Sequence, residues 1–212
     1  RSMTQQRAVR TRAAVIAGAA TEFAQHGYVG ASVNRIIEST TVTKGAMYFH
    51  FPSKGSMAKA ILDNAAAVYT AIANRWTAVD GVHPFDAIAG MVDDAAARAF
   101  DEEVVLRAEA RLTVETEFVP RQPLLALDAA VLDLAGKADE SGCLREDFTA
   151  AKFVRVLSAS LAGHRLLAHT APTGIAASLE SGYRESMDTV LAASRTATCI
   201  ESHGSDRMRA SA

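Results

Sequence analysis

Apolar residues recur at helical spacing from the start of the chain. Between Gln5 and Gln25 the positions Val9, Ala13, Ile16, Ala20, Phe23 and Ala24 fall on one stripe, and Gly27 follows as a helix-ending glycine. Ser32 stands as an N-cap before Val33, Ile36 and Ile37, which predicts a helix of about two turns. After the polar break Ser39-Thr40-Thr41, Thr43 is placed to cap a further short helix. Pro52 ends that helix, because proline removes a backbone donor and clashes with the preceding turn. Ser53 then caps a long helix running to about Val79, with Met57, Ala60, Ile61, Ala65, Val68, Ile72 and Trp76 on one side.

Helical patterns continue over roughly 85–100, 102–118, 124–141, 148–170 and 174–195, broken by Asp101, the Pro120/Pro123 pair, Ser141-Gly142 and Pro172-Thr173-Gly174. Alternating apolar and polar runs of strand length are missing. The expectation is an all-α fold of about nine helices. It comprises a helix-turn-helix unit over 5–52, a larger helical domain over 53–195 and a small polar tail over 196–212.

The short helix from Thr43 carries TKGAMYFHF, a dense set of chemically capable side chains. Three short helices with a tight polar turn between the second and third fit a helix-turn-helix reader, whose last helix enters the major groove. Thr43 offers a hydroxyl and Lys44 a long cation, while Gly45 and Ala46 add no bulk, so the backbone can come close to base edges and phosphates. Met47 and Phe51 fall on the opposite side, toward Ile16, Phe23 and Ile36. Tyr48 and His50 are expected to donate to phosphates, Phe49 to anchor the helix to the next one, and Lys54 to favour an anion at a helix start. Ser32 and Arg35 complete the candidate DNA-contacting set.

Charge strengthens this picture. Residues 1–60 hold eight Lys/Arg against Glu22 and Glu38, a balance of +6, and the net charge of −2 leaves −8 for the remainder. A basic end on an acidic body points to a polyanionic partner for that end. Composition adds that 49% of residues are apolar and only 6% aromatic, with alanine dominant, which favours helices. No apolar run reaches the length of a membrane span, and no charged-then-apolar leader opens the chain. Cys143 and Cys199 form no Cys-x-x-Cys pair, so a reduced cytoplasmic protein is expected.

The stretch TKGAMYFHFPSK, together with AATEFAQHGYVGAS and VNRIIES, resembles the DNA-binding region of the TetR family of bacterial repressors over residues 7 to about 62. One departure lies in the turn, where the family commonly has Ala-Gly-Val and this chain has Thr40-Thr41-Val42. Threonine at 41 resists the positive φ that glycine would ease. The segments VVLRAEARLTVE and GCLREDFTAAKFVRVLSASLAGHRLLAHT are similar to the γ-butyrolactone receptor branch of that family, the autoregulator receptors of actinomycetes. That resemblance implies a dimer on a palindromic operator, released by a small apolar signal. A pocket-lining tryptophan of the branch aligns with Leu127, and the single tryptophan here is Trp76. A different effector, such as a drug, a fatty acyl group or a furan-type signal, is therefore the alternative.

Chemistry of other classes finds little support. His164 and His169 are a poor match to a helical metal pair, and no nucleophile elbow, triad, phosphate loop or dinucleotide motif occurs. The reading is a protein without catalytic residues, metal or cofactor, with a small all-α enzyme as the remote alternative. In the body, Phe85, Met91, Leu106, Leu112, Phe118, Leu127, Val131, Leu157 and Leu161 are the candidate pocket residues, with Arg107, Arg111, Thr113 and His164 as polar orienters. Helices 148–170 and 174–195 are rich in Ala, Ser and Gly, including Gly163 and Gly182, and suit the close packing of a four-helix dimer interface.

Overall fold

A computed structural model describes residues 3–98, 104–115, 123–170 and 179–199. Among these residues the chain is all-α, with nine named helices. They are α1 (Met3–Gly30), α2 (Val33–Glu38), α3 (Lys44–His50), α4 (Lys54–Thr77), α5 (Pro84–Ala97), α6 (Val104–Thr113), α7 (Leu125–Glu140), α8 (Ala150–Thr170) and α9 (Leu179–Ser194). Among the described residues the β structure is limited to an isolated antiparallel bridge between Leu144 and Arg195. Phe118 and the tail beyond Cys199 lie outside the described residues.

Two compact units emerge: residues 1–68 with 98–123, and residues 69–97 with 124–212. Neither follows the boundary expected at 52/53. The cause is a long-range contact that periodicity does not reveal. In the first unit α6 packs along α1, and Ala108 and Leu112, both fully buried, join Val15, Ile16, Ala19, Ala20 and Phe23 in one core. Alanines on both helices allow their axes to come close, and Ile36, Met47, Phe51, Met57 and Ile61 close the same core from α2, α3 and the start of α4. Each large side chain taken out of water there contributes about 1.5–3 kcal/mol.

The first helix of α1 breaks at Gly27, as a helix-ending glycine predicts, with φ 67° and ψ −176°, and a short helical turn follows to Gly30. A side chain at 27 would also overlap the Glu115 carboxylate, so glycine is required twice over. The turn between α2 and α3 resolves the question raised by Thr41. No non-glycine residue in the described chain has positive φ, so this turn needs no left-handed position. Thr40 instead packs on α1 at Gly18, where an added Cβ would stand 2.6 Å from the threonine methyl.

In the second unit α5 packs on α7 and α9, and α8 packs on α7 and α9. Phe85 stacks on Phe153 with centroids 5.6 Å apart, and Phe148 meets Phe153 edge-on at 6.3 Å. The indole of Trp76 lies over Gly90 and donates to Asp94 Oδ2 at 2.8 Å. His164 likewise fills the space beside Gly182, so this glycine serves packing between α8 and α9 of one chain. Its assignment to a subunit interface is corrected accordingly.

Candidate nucleic-acid interface

Short helices need their ends satisfied, and both candidate reader helices are capped as their sequences imply. Ser32 Oγ accepts from Arg35 N at 3.5 Å, and Thr43 Oγ1 accepts from Ala46 N at 3.3 Å. At the start of α4, Ser53 and Ser56 exchange backbone-to-hydroxyl bonds of 3.1 and 3.2 Å, a reciprocal cap immediately after Pro52. Together the caps set α3 rigidly between two turns.

The faces of α3 then separate cleanly. Met47 and Phe51, four residues apart, are 1% and 3% exposed and belong to the core with Ile16, Phe23 and Ile36. Thr43, Lys44 and Gly45 are exposed, Ala46 and His50 are half-buried, and Tyr48 is exposed. An added Cβ on Gly45 meets nothing within 4 Å, so nothing in the chain itself requires glycine there. Lys44 is exposed, as are Arg7 and Arg10 on α1, and no ion pair is seen for any of the three among the described residues.

Three expectations need correction. Phe49 does not anchor α3 to α4: it is 84% exposed, and its ring meets that of His50 edge-on at 5.2 Å. Two residues along a helix is about half a turn, so Phe49 stands opposite Met47. The spacing carried that signal. Lys54 does not present an outward cation either. Its ammonium donates to the carbonyls of Tyr28 at 2.7 Å and Ala31 at 3.1 Å, and lies 4.6 Å from the Tyr28 ring centroid. Arg35, expected to reach phosphate, is turned to Glu22 and to the carbonyl of Gly30 at 2.7 Å.

These engaged cations fix the segment that joins α1 to α2. Glu22 is 7% exposed and accepts from Ser32 N and Arg35 Nε, each at 2.8 Å. Burial pushes its carboxyl pKa up, but the Arg35 and Ser32 hydrogen bonds and the charges of Arg35 and His26 outweigh it and lower the pKa overall. Just beyond the α6 helix, the Glu115 carboxylate accepts from Tyr28 N at 2.9 and 3.0 Å and from Val29 N at 3.4 Å. Residues 28–31 are thus held from one side by Glu115 and from the other by Lys54. Periodicity gave no hint of this clamp.

The body residues expected to line a pocket divide between the two units. Leu112 belongs to the core around α1, and Leu106 is buried in that same unit. Phe85, Met91, Val131 and Leu157 are buried in the second unit, where Leu127 and Leu161 are half-buried.

Comparison with known proteins now bears on this geometry. Residues 15–61, which contain most of α1, all of α2 and α3 and the first part of α4, match the family described as bacterial regulatory proteins, tetR family. That segment is similar to the N-terminal domain of the TetR family. The A-factor receptor protein of Streptomyces griseus is 46% identical over 59 residues, which is 28% of this chain and 21% of that protein. The chain therefore aligns with about a fifth of that relative's length.

Similarity of fold extends much further. A structure described under the molecular basis for control of antibiotic production by bacterial hormones is 29% identical, with a TM-score of 0.74 over 92% of this chain and 100% of that one. The TetR-family protein CprB of Streptomyces coelicolor, in complex with its biological operator sequence, is 26% identical. Its TM-score is 0.70 over 91% of this chain and 92% of that one. A further structure, described as a gamma-butyrolactone receptor (ArpA-like protein), is 25% identical, with a TM-score of 0.62 over 86% of this chain and 99% of that one. No described helix is long and apolar enough to cross a membrane.

Proposed function

We propose that this TetR-family chain is a transcriptional repressor that reads a palindromic operator as a homodimer through α3 and is released by a small apolar effector of the butyrolactone kind. The observation that supports DNA reading best is the outer edge of α3. Glycine weakens a helix interior by about 0.5–1 kcal/mol relative to alanine, yet the space beside Gly45 is open. A helix that forgoes a methyl group facing nothing in its own chain is suited to close approach by something outside it. Lys44 and Tyr48, one turn apart on the same edge, supply phosphate contacts, and Arg7 and Arg10 add cations.

Dimerisation draws support from α8. Val156, Ala159, Leu166 and Leu167 are exposed and Gly163 opens onto empty space, forming an apolar stripe that another chain can cover. A charge at Gly163 is the clean probe, because nothing in the same chain lies within 4 Å of its added Cβ.

Release follows from the clamp on residues 28–31. A shift of α6 or of the start of α4 pulls on Glu115 or Lys54 and hence on the entry to α2. Because successive grooves on one face recur every ~34–36 Å, a few ångströms of displacement between two readers suffices. A coupling of ~1–3 kcal/mol lowers operator affinity about 5- to 150-fold, and operator lowers effector affinity by the same factor. The alternative, a repressor sensing a drug, fatty acyl or furan-type molecule, is favoured by one observation: Leu127 stands where the branch has tryptophan.

The test is a binding titration against duplex DNA from upstream of the protein's own gene, over a range of salt, with and without a γ-butyrolactone. Salt-dependent, sequence-preferring binding that the lactone weakens supports the reading. Binding indifferent to sequence would remove the reader, and binding untouched by the lactone would remove the butyrolactone assignment alone.

A further inference from the structure

Three side chains far apart in sequence meet at one end of the second unit. His83 immediately precedes α5, Cys143 sits in the turn after α7, and Cys199 lies in a helical turn following the Leu144–Arg195 bridge. Nε2 of His83 is 3.4 Å from Cys143 Sγ and 3.8 Å from Cys199 Sγ, and the three ligand atoms all lie within 4.8 Å of one another. We propose that His83, Cys143 and Cys199 form a binding site for a thiophilic divalent cation of the zinc type.

The distances from His83 Nε2 to the two sulfurs suit that ion. Zinc–sulfur bonds of about 2.3 Å and zinc–nitrogen bonds of about 2.0–2.1 Å at a tetrahedral angle separate neighbouring ligand atoms by roughly 3.5–3.8 Å. Backbone hydrogen bonds hold two of the ligands without help from an ion. Cys143 N donates to Ala138 O at 2.8 Å and Thr196 N to Cys143 O at 3.0 Å, while Arg145 N reaches Ser194 O at 3.0 Å. Cys199 N donates to Thr196 Oγ1 at 3.4 Å, so both thiols hang from one braced junction.

Charge balances as well. Both cysteines are buried thiols, and burial, followed by Cys143's hydrogen bond and charge, pushes the Cys199 thiol up to about 11. Such a thiol ionises at neutral pH only beside a strong cation, so ion binding expels two protons. Asp86 and Arg195 are both within electrostatic reach of Cys199. Two thiolates and Asp86 together offset the ion and Arg195. Three protein ligands leave one tetrahedral position for water or a further oxygen donor.

One proton must move. Phe85 N donates to His83 Nδ1 at 3.2 Å, which leaves the proton of the neutral ring on Nε2, toward Cys143. Ligation through Nε2 transfers it to Nδ1 and gives up the Phe85 hydrogen bond. This rearrangement lowers the affinity below that of a site built with the other tautomer.

The experiment uses the full chain, stripped with a chelator and kept in a non-chelating phosphine reductant. Co2+ is titrated in, followed by Zn2+. One Co2+ per chain with thiolate charge-transfer and tetrahedral visible bands, displaced by Zn2+, is expected. Zn2+ should also raise the melting temperature of the wild type but not of Cys143→Ala or Cys199→Ala. Absence of both the bands and the Zn2+-dependent shift in the reduced wild type overturns the site, whatever the variants do. Cysteines that instead pair as a disulfide when the reductant is removed, without having bound metal in its presence, overturn it equally.

Discussion

Gly45 in the reader and Gly90 in the body both sit within helices, and their surroundings are opposite. A Cβ on Gly45 meets nothing within 4 Å, whereas one on Gly90 runs into the indole of Trp76, and one on Gly182 into the imidazole of His164. At Gly90 and Gly182 the missing side chain is replaced by a large one from the same chain, and the role of these glycines ends with packing. On α3 the space is left open beside Lys44, Thr43 and Tyr48. Small residues alone therefore say little about function. A small residue that its own fold does not use, as at Gly45 and at Gly163, leaves room for a partner from outside.

The strongest way to stress this contrast is at a glycine the fold uses twice. Gly27→Ala must adopt positive φ and collide with Glu115, and it is expected to cost about 2–4 kcal/mol. Thermal melts at matched buffer read this directly, and a variant as stable as the wild type would refute the clamp. Gly90→Ala is expected to cost about 1–3 kcal/mol by forcing Trp76 aside, with a change in indole fluorescence reporting the displaced ring. An unchanged emission spectrum and melt would show that the indole does not occupy that space.

Lys44→Ala is the matching test of the open edge. It should leave helicity and stability unaltered, weaken binding to all DNA sequences alike, and lower the slope of log affinity against log salt by about one. A slope equal to that of the wild type would take Lys44 off the phosphates.

Acid sensitivity probes the joint behind the reader. Glu22's lowered pKa means that its contribution to stability is present above its unfolded-state pKa and is lost as pH falls through the lower folded-state value. Glu22→Gln should thus be less stable than the wild type at neutral pH, with the difference shrinking in acid. A difference independent of pH would assign the loss to geometry rather than to charge.

Much of this was legible in the sequence, and the illegible parts share a cause. Helix positions followed from period and caps because those are local, and so did the burial of Met47 and Phe51. The sequence presents Arg35 and Lys54 as DNA contacts because a cation on a helix surface looks unengaged there. The Gly30, Tyr28 and Ala31 carbonyls and the Glu22 carboxylate that take them are visible only in three dimensions. The packing of Ala108 and Leu112 on α1 and the meeting of His83, Cys143 and Cys199 are likewise products of long chain closures. Phe49 differs, since its place half a turn from Met47 was readable and the aromatic character of the residue had suggested core instead.

The proposal that α3 keeps its outer edge bare for DNA is tested by Gly45→Ala, with two readouts on one variant. Because the added methyl enters open space, the account predicts a fold more stable by about 0.5–1 kcal/mol. It also predicts weaker operator binding by fluorescence anisotropy, on the order of tenfold if the methyl costs near 1.4 kcal/mol at the interface. A variant that is more stable and still binds operator as tightly as the wild type would contradict it.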